Sequence, residues 1–387
     1  MGDVDGFWLF DGLEETPYGL LPLVNLTSKN SATSTKQVER VGSYQWRLEE
    51  DEPVILVPGS PIQSVYWPGG RLSQDHGVLK TVLLIPIILA AKAFGESKKK
   101  PIDFDQFDFI TDAVNLQKLF AFAQEAGDGL FRIDCERVGK TVLLTRMEAS
   151  DLMEIGHVTF DQALKARMGK PLSYQFGSFK FLVRYEVDLA DYAAVKAADP
   201  DPAKDPATVP EKKKFNENPN ISYVEFGETL RGLPLQLLTT YPQGGGFPYF
   251  AWAQMFFTAA DQEIVGFFKG NGDFGNQFTG YRKSALYSLP DISKLMKPLP
   301  YVVLSKVHDC LDKIKKFLVK NDPNFRCGLI WKGKAHLEIF AKIPNADGGV
   351  SQKVREFLLT QCKEPVGRWR RGQQILNCSK ALCVFKC

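Results

Sequence analysis

Three acidic residues stand at spacings that suit a metal site. Glu186 and Asp188 are two positions apart in an apolar stretch, FKFLVRYEVDL, that predicts a β-strand. Because side chains two apart in a strand point to the same face, both carboxylates are expected on one face. Glu225 ends a second short apolar stretch, ISYVEF. Carboxylates converging from adjacent strands are ligands for magnesium in hydrolases, but ordinary surface acids at strand ends fit the same spacing.

The charge pattern beside these acids is incomplete for catalysis. A phosphate-cleaving site needs a positive charge near the metal to stabilise the transition state. The residue two beyond Glu225 is Gly227, and Glu228 follows, so the local charge has the wrong sign. The sequence contains no Walker A loop, no Gly-x-Gly-x-x-Gly and no Gly-x-Ser-x-Gly. It therefore gives no support to the enzyme classes that these motifs identify.

Composition excludes several other classes. The chain has 387 residues with 48 basic and 45 acidic side chains, a net charge of +3 that is too small for a strongly basic nucleic-acid binder. Seven cysteines without a Cys-x-x-Cys pair indicate free thiols in a reducing compartment. A zinc site at Cys378, Cys383 and Cys387 is the weaker alternative. The longest apolar run, 81–91, is too short to span a membrane, so no membrane partner is expected.

The mixture of elements predicts the fold class. Strands and helices follow one another without strict βαβ alternation, which favours an α+β fold of mixed β-sheets packed together and flanked by helices. We expect a partly irregular lead-in over 1–52, a domain over 53–344 and a C-terminal extension over 345–387. Within the domain, 193–220 is rich in Ala, Asp, Pro and Lys and predicts a mobile charged loop.

Individual segments carry the patterns of defined elements. The predicted helices are Leu79–Phe94, Phe250–Thr258, Val302–Lys320 and Ser351–Thr360. The predicted strands and hairpins are Phe104–Phe109, Phe131–Met147 (turning at Val138–Gly139), Phe179–Leu189, Ile221–Phe226, Glu263–Phe268 and Arg326–Ala341.

Several short motifs occur together in a familiar order. YEVD (185–188), YVEFG (223–227) and WAQ (252–254) are similar to Gly-Glu-Val-Asp, Val-Glu-Leu-Lys and Trp-Ala-Gln motifs. FDFITDAVNLQKL (107–119) and LSYQFG (172–177) are similar to a strand and helix bearing Trp-Arg-Gly and to Gly-Tyr-Lys-Phe-Glu. In this order the motifs resemble the DXO family of decapping exoribonucleases over about 53–344. The resemblance implies a DXO-like nuclease fold with an acidic cleft.

The resemblance assigns roles to four retained residues. In the family, acids at the positions of Glu186, Asp188 and Glu225 hold magnesium or manganese, or the waters of the metal. A glutamine at the position of Gln254 lies near the bound RNA. These four residues are therefore the candidate metal-binding and RNA-binding residues.

Three departures argue against catalysis. The family's arginine falls on Ala113, its further glutamate on Gly177 and its lysine on Gly227. The resemblance therefore implies a catalytically degenerate protein without a cofactor. Loss of a cation leaves repulsion among the acids, and loss of a ligand weakens the metal. Together the two changes are expected to lower the rate at least ~10³-fold.

The degenerate interpretation implies a role in RNA 5′-end protection. We expect the chain to bind RNA 5′ ends or a nuclear protein partner, and to protect nascent transcripts from decapping, 5′ degradation and termination. A non-catalytic member of the family does this in the insect germ line, on precursor transcripts of small silencing RNAs (piRNAs). The expected partner is a chromatin-linked adaptor or a 5′→3′ exoribonuclease, and the expected location is the nucleus.

Two alternatives stay open. The first is an active decapping or deNADding 5′→3′ exoribonuclease that uses Glu186, Asp188 and Glu225 with magnesium or manganese. The second is a pure protein–protein adaptor whose cleft is vestigial.

Overall fold

The strands and helices are taken from a computed structural model. It describes residues 6–27, 34–48, 53–57, 70–73, 84–125, 130–147, 152–155, 168–187, 189–191, 213–214, 222–225, 233–240, 247–260, 262–268, 281–296, 299–344, 346 and 349–360. In chain order the strands are β1 Gly19–Pro22, β2 Thr35–Arg40, β3 Tyr44–Leu48, β4 Pro53–Val57, β5 Gly70–Ser73, β6 Phe109–Asp112, β7 Leu130–Val138, β8 Thr141–Met147, β9 Leu152–Ile155, β10 Met168–Phe176, β11 Phe179–Val187, β12 Leu189–Asp191, β13 Lys213–Lys214, β14 Ser222–Glu225, β15 Leu233–Thr240, β16 Gln262–Phe268, β17 Tyr281–Ser288, β18 Arg326–Lys332 and β19 His336–Ala341. The described helices are α1 Ile85–Ser97, α2 Ala113–Gln124, α3 Phe247–Thr258, α4 Leu289–Ser293, α5 Pro300–Lys320 and α6 Gln352–Thr360.

One large mixed sheet organises the described residues. Its thirteen strands follow the order β1-β19-β18-β7-β8-β6-β11-β10-β3-β4-β14-β13, with β2 also paired to β10. The central strand β6 is parallel to both of its neighbours, β8 and β11, and β4 is parallel to β14. A second sheet has the order β12-β15-β16-β17, and β5 pairs with β9.

Helices cover both faces of the large sheet. On one face, residues of α2, α3 and α5 share an apolar core with Phe109 and Phe181, whose rings stack at 5.0 Å. On the other face, α1 and α6 pack over Ile110 and Leu182. A strand that alternates its side chains between two covered faces is buried throughout, as β6 is. The predicted α+β class, with mixed sheets flanked by helices, is confirmed.

Helix α1 begins later than its apolar pattern predicts. The predicted start was Leu79, and α1 starts at Ile85 with Pro86 in its first turn. Proline suits this position because its missing N–H would have no partner inside the helix. None of the described helices combines the length and apolarity needed to cross a membrane.

The segment 104–109 departs from the predicted strand. Residues Phe104–Gln106 form a 3-10 turn, and strand β6 starts only at Phe109. The cause is a local cap, since the Asp103 carboxylate accepts the N–H of Asp105 at 3.0 Å. An aspartate that bonds its own backbone two residues on favours a turn over an extended strand.

The predicted hairpins and the long amphipathic helix are confirmed. Strands β7 and β8 flank a turn at Gly139 with φ of 60°, β18 pairs with β19, and α5 covers 300–320. Strands β1, β2 and β3 come from the predicted lead-in, and β13 from the predicted mobile loop 193–220. The domain boundaries at 52/53 and 344/345 stay predictions.

A buried arginine attaches the N-terminal segment to this sheet. Arg132 on β7 is fully buried and binds Asp134 through Nε at 2.6 Å and through Nη2 at 3.1 Å. Its Nη1 donates to the carbonyl oxygens of Leu9 and Asp11 at 3.2 and 2.6 Å. Lys342, almost fully buried, also contacts Asp134 at 2.6 Å. The Asp134 carboxylate therefore compensates two buried cations.

Replacement of Asp134 by alanine should strongly destabilise the fold. Asp134→Ala leaves Arg132 and Lys342 in the core without this carboxylate, and loss of one partner of a buried ion pair costs about 3–5 kcal/mol. Urea unfolding measures the change. Asp105→Ala is the matched control, because the Lys140–Asp105 pair lies at the surface and should cost under about 1 kcal/mol. Equal losses for both variants would contradict the assignment.

Candidate functional site

The candidate site lies at one end of the large sheet, where parallel strands β6 and β11 finish. Asp112, the last residue of β6, is in register with Arg184 of β11. Ala113 follows directly as the first residue of α2. Glu186 lies two residues beyond Arg184 on the same strand. The fold therefore brings Ala113 and Glu186 to neighbouring strand ends, where open α/β sheets bind ligands.

A buried ion pair occupies this end of the sheet. Arg184 donates from Nε to the Asp112 carboxylate, and both side chains are almost fully buried. Its Nη1 donates to the hydroxyl oxygen of Tyr44 on β3 at 3.3 Å. The three side chains join β6, β11 and β3 across the intervening β10. The arginine charge is consequently neutralised inside the protein rather than presented to a ligand.

Two buried oxygens near the ends of β6 and β11 lack a hydrogen-bond partner among the described residues. They are Asp112 Oδ2 and the hydroxyl of Tyr185. Burial raises the pKa of Tyr185 to about 12, and the charge of Arg40 only partly opposes this. Tyr185 is therefore neutral at physiological pH. Both groups are costly to leave unpaired, but they belong to opposite faces of the sheet, since Tyr185 packs in the core of α2, α3 and α5.

Glu225 reaches the same end of the sheet on a distant strand. Glu186 is in register with Gly169 of β10, which in turn is in register with Tyr44 of β3. Strand β4 follows β3 in the sheet, and its Val57 is in register with Glu225 of β14. Strands β10, β3 and β4 therefore separate β11 from β14. The expectation that Glu186 and Glu225 lie on adjacent strands is wrong, and the convergence of their carboxylates stays a prediction.

The strand order constrains a shared metal ion. Glu186 and Glu225 are four strand spacings apart, about 19 Å measured along the sheet. Because magnesium binds its ligands at about 2 Å, a shared ion requires the sheet to bend between these strands. Among the described side chains, no group of three His, Cys, Asp or Glu residues is arranged to hold a metal. Asp188 and the side chains of Glu186 and Glu225 lie outside the described residues. Their metal-binding role stays a prediction.

Gly177 lies far from these acids. It is exposed in the two-residue turn between β10 and β11, with φ of 59°. Glu186 lies near the opposite end of β11, about 23 Å away along the strand. The positive φ explains the glycine, because other residues adopt it at a cost. Gly177 therefore does not mark an acid lost from the candidate site, and that assignment is corrected.

The turn at Gly177 is held by a buried histidine of α5. The Ser178 N–H donates to His308 Nε2 at 3.2 Å, and Ser178 Oγ lies 3.1 Å from the same nitrogen. Because a backbone N–H can only donate, Nε2 carries no proton. The His308 ring also stacks on Phe179, with centroids 4.7 Å apart. The neutral imidazole thus fixes the β10–β11 turn against α5.

The remaining predicted residues divide into described and undescribed positions. Gln254 lies half-buried on α3, and its carbonyl accepts the hydroxyl of Thr258 at 2.7 Å. Gly227 and the cysteines 378, 383 and 387 lie outside the described residues. The RNA-binding role of Gln254 stays a prediction.

The sequence argument missed the Asp112–Arg184–Tyr44 cluster. A signal was available, since FITDAV and FLVRY each place one charged residue inside an apolar stretch. A charge within a strand buried on both faces requires a partner. The sequence alone does not say that the partner lies 72 residues away.

Structural comparison identifies the fold. Rai1 from Candida albicans, solved with pU5 and Mn²⁺, matches with a TM-score of 0.56 at 14% identity, covering 89% of this chain and 99% of the other. Rai1 from Scheffersomyces stipitis, solved with (3′-NADP)⁺ and a calcium ion, gives 0.53 at 14% identity, covering 88% and 100%. Rai1 from S. pombe gives 0.51 at 15% identity, covering 84% and 99%. The chain therefore has a Rai1-like fold. No protein-family model and no curated protein sequence matches it.

The Asp112–Arg184 pair should show strong energetic coupling. Asp112→Ala and Arg184→Met should each cost about 3–5 kcal/mol, because each leaves a buried group without its partner. The double variant should lose less than the sum, by about 1–3 kcal/mol. A urea-unfolding double-mutant cycle measures this coupling. A matched cycle on the exposed pair Lys294–Asp291 should show far weaker coupling, and additive losses at Asp112 and Arg184 would rule out the pairing.

His308 should make stability depend on pH. Burial lowers the pKa of His308, and Asp312 and Asp309 only partly oppose this. The unfolded chain therefore binds the proton more readily. The stability supplied by neutral His308 is complete above the unfolded pKa of about 6.5 and is lost as pH falls below it. Urea unfolding at pH 7.5 and 5.5 measures the loss.

Two variants test the assignment to His308. His308→Gln keeps an acceptor for Ser178 and should reduce the difference between the two pH values. His336→Gln, at a partly exposed histidine away from the β10–β11 turn, is measured for comparison. An undiminished difference in His308→Gln would mean that other groups cause it.

Proposed function

We propose that this chain binds RNA 5′ ends as a catalytically degenerate DXO-like protein and does not hydrolyse caps. The support is the combination of fold and motif order. The fold resembles Rai1 structures, one solved with pU5 and Mn²⁺ and another with (3′-NADP)⁺. The motifs at Glu186, Glu225 and Gln254 follow the order of the DXO family. Both features favour a protein that recognises the 5′ end of RNA.

The proposed loss of catalytic activity rests on the charges at the end of β6. The family's arginine position is Ala113, which is buried. The nearby Arg184 is paired with Asp112 and bound to Tyr44. Neither residue presents a cation to a phosphate, and three strands separate the strand of Glu186 from the strand of Glu225 in the sheet order. A phosphoryl or cap hydrolase needs both forms of charge stabilisation.

The proposed cellular role is protection of nascent transcripts in the nucleus. The departures from the family motifs are similar to those of Cutoff, the non-catalytic insect germline member. By that similarity, the bound transcripts are precursors of piRNAs, shielded from decapping, 5′ degradation and termination. The protein partner is a chromatin-linked adaptor or a 5′→3′ exoribonuclease. The absence of the family's arginine at Ala113 and of its lysine at Gly227 supports this proposal, whereas the glycine at position 177 does not.

A paired assay on one preparation tests the proposal. Binding is measured by fluorescence anisotropy with RNAs that differ only at the 5′ end: hydroxyl, monophosphate, triphosphate, NAD or unmethylated cap. Cleavage of the same RNAs is measured with magnesium or manganese. We expect 5′-dependent binding without release of the 5′ group. Glu186→Ala should leave the affinity unchanged, because binding needs no metal held by that carboxylate.

Two results would overturn this proposal in different directions. Metal-dependent release of the 5′ group that is abolished by Asp188→Ala or Glu225→Ala would establish the active nuclease. An absence of both binding and cleavage would favour the protein–protein adaptor. A Rai1 protein assayed in parallel controls for the RNAs and the metals.

A further inference from the structure

Two buried cysteines lie directly opposite each other in the large sheet. Cys135 of β7 is in register with Cys327 of β18, and the two strands are antiparallel. Side chains of directly opposed residues leave a sheet on the same face, and both thiols belong to the apolar core beneath α2, α3 and α5. Both cysteines are free thiols in the structure. The fold therefore brings together two thiols that are far apart in the sequence.

The spacing of this pair suits a disulfide bond. Opposed residues of antiparallel strands have Cα atoms about 4.5–5.5 Å apart, and disulfides join residues whose Cα atoms are about 4.4–6.8 Å apart. Burial raises the pKa of the Cys135 thiol well above its ordinary value, and a hydrogen bond with the Cys327 side chain raises it further. The two side chains are thus in contact, and a bond between them requires no change of strand register.

A third buried thiol competes for the same bond. Cys310 of α5 lies in the same core, but its electrostatic effect on Cys135 is smaller than that of Cys327. Burial raises the pKa of Cys310 to about 12, so this thiol is protonated at physiological pH. Cys310 also lies on a helix rather than opposite Cys135 on the neighbouring strand. The register therefore favours Cys327 as the partner of Cys135.

Access to the pair depends on opening at the start of β18. Cys327 is the second residue of β18 and closely follows Asp322, Pro323 and Asn324, which are exposed. Strand ends beside exposed segments open more readily than strand interiors. Because buried, protonated thiols are inert, oxidation requires this opening. A small oxidant such as hydrogen peroxide suits this route, and Cys327 is the first thiol that it reaches.

We infer that Cys135 and Cys327 form a reversible cross-strand disulfide when hydrogen peroxide oxidises the protein. Peroxide oxidises the Cys327 thiol to a sulfenic acid, its O–O bond breaks and one water leaves. The Cys135 thiol then attacks that sulfur and forms the S–S bond, while the hydroxyl group leaves with the thiol proton as a second water. Two thiols and one peroxide thus give one disulfide and two waters. A thiol reductant restores both thiols.

Peptide mapping tests the pairing, because trypsin places each of the three buried cysteines in a separate peptide. Cleavage after lysine and arginine gives IDCER (133–137), VHDCLDK (307–313) and CGLIWK (327–332). The folded protein is treated with hydrogen peroxide, free thiols are alkylated, and the digest is analysed by mass spectrometry without reduction. We expect IDCER joined to CGLIWK, and separation of the two peptides after reduction.

Matched variants connect the cross-link to stability. A cross-link that closes a long loop should lower the unfolding equilibrium constant about 10²–10³-fold, as measured by urea unfolding before and after peroxide treatment. Cys327→Ala should show no such gain, whereas Cys310→Ala should retain both the linked peptide and the gain. Cys327→Ala also controls for oxidation of methionines, because both proteins contain the same methionines.

Three results would overturn the inference. Recovery of both strand cysteines as alkylated thiols, in protein whose methionines are oxidised, would mean that the pair does not react. A linkage to VHDCLDK would make Cys310 the partner. Sulfinic or sulfonic acid at Cys327 without a linkage would mean that Cys135 does not reach the oxidised sulfur. None of these results bears on RNA binding, so the inference and the proposed function are tested separately.

Discussion

The contact between Asp112 and Arg184 determines what the candidate site can do. It joins the ends of the two central parallel strands β6 and β11, directly before the first turn of α2. A buried ion pair adds little net stability, because desolvation offsets the attraction, but loss of one partner is costly. Neither Asp112 nor Arg184 can therefore be replaced alone at this end of the sheet without a large loss of stability. A positive charge is present at the expected place and is already neutralised by the protein.

Local sequence patterns predicted the elements better than their arrangement. The β7–β8 hairpin follows from alternation of side chains and a glycine with φ of 60° in its turn. The segment 104–109 showed the same alternation, but the Asp103 cap favoured a turn there. Period-two patterns also contain no information on which strands become neighbours. The insertion of β10, β3 and β4 between β11 and β14 depends on long-range packing and could not be foreseen.

The candidate site was predictable where a motif coincided with a strand end. Ala113 begins α2 directly after the end of β6, and Glu186 lies near the end of the neighbouring strand β11. The assignment of Gly177 to the site was wrong because a five-residue motif does not determine where its residues lie in the fold. In this chain the glycine belongs to a turn held by His308. Arg184 was overlooked because its role depends on a carboxylate from another strand. Pairwise contacts between distant segments are the part of a site that a single sequence does not reveal.

The pairing of β1 with β19 has a consequence for folding in the cell. Leu20 lies opposite Glu338, so β1 is synthesised long before the strand with which it pairs. Contacts this distant in sequence raise the contact order and slow folding, since loop closure must precede the contacts that compensate it. During synthesis the β19 edge of the sheet stays incomplete until the C-terminal strands are made. Before then, the apolar side chains of this edge are accessible to chaperones and prone to aggregation.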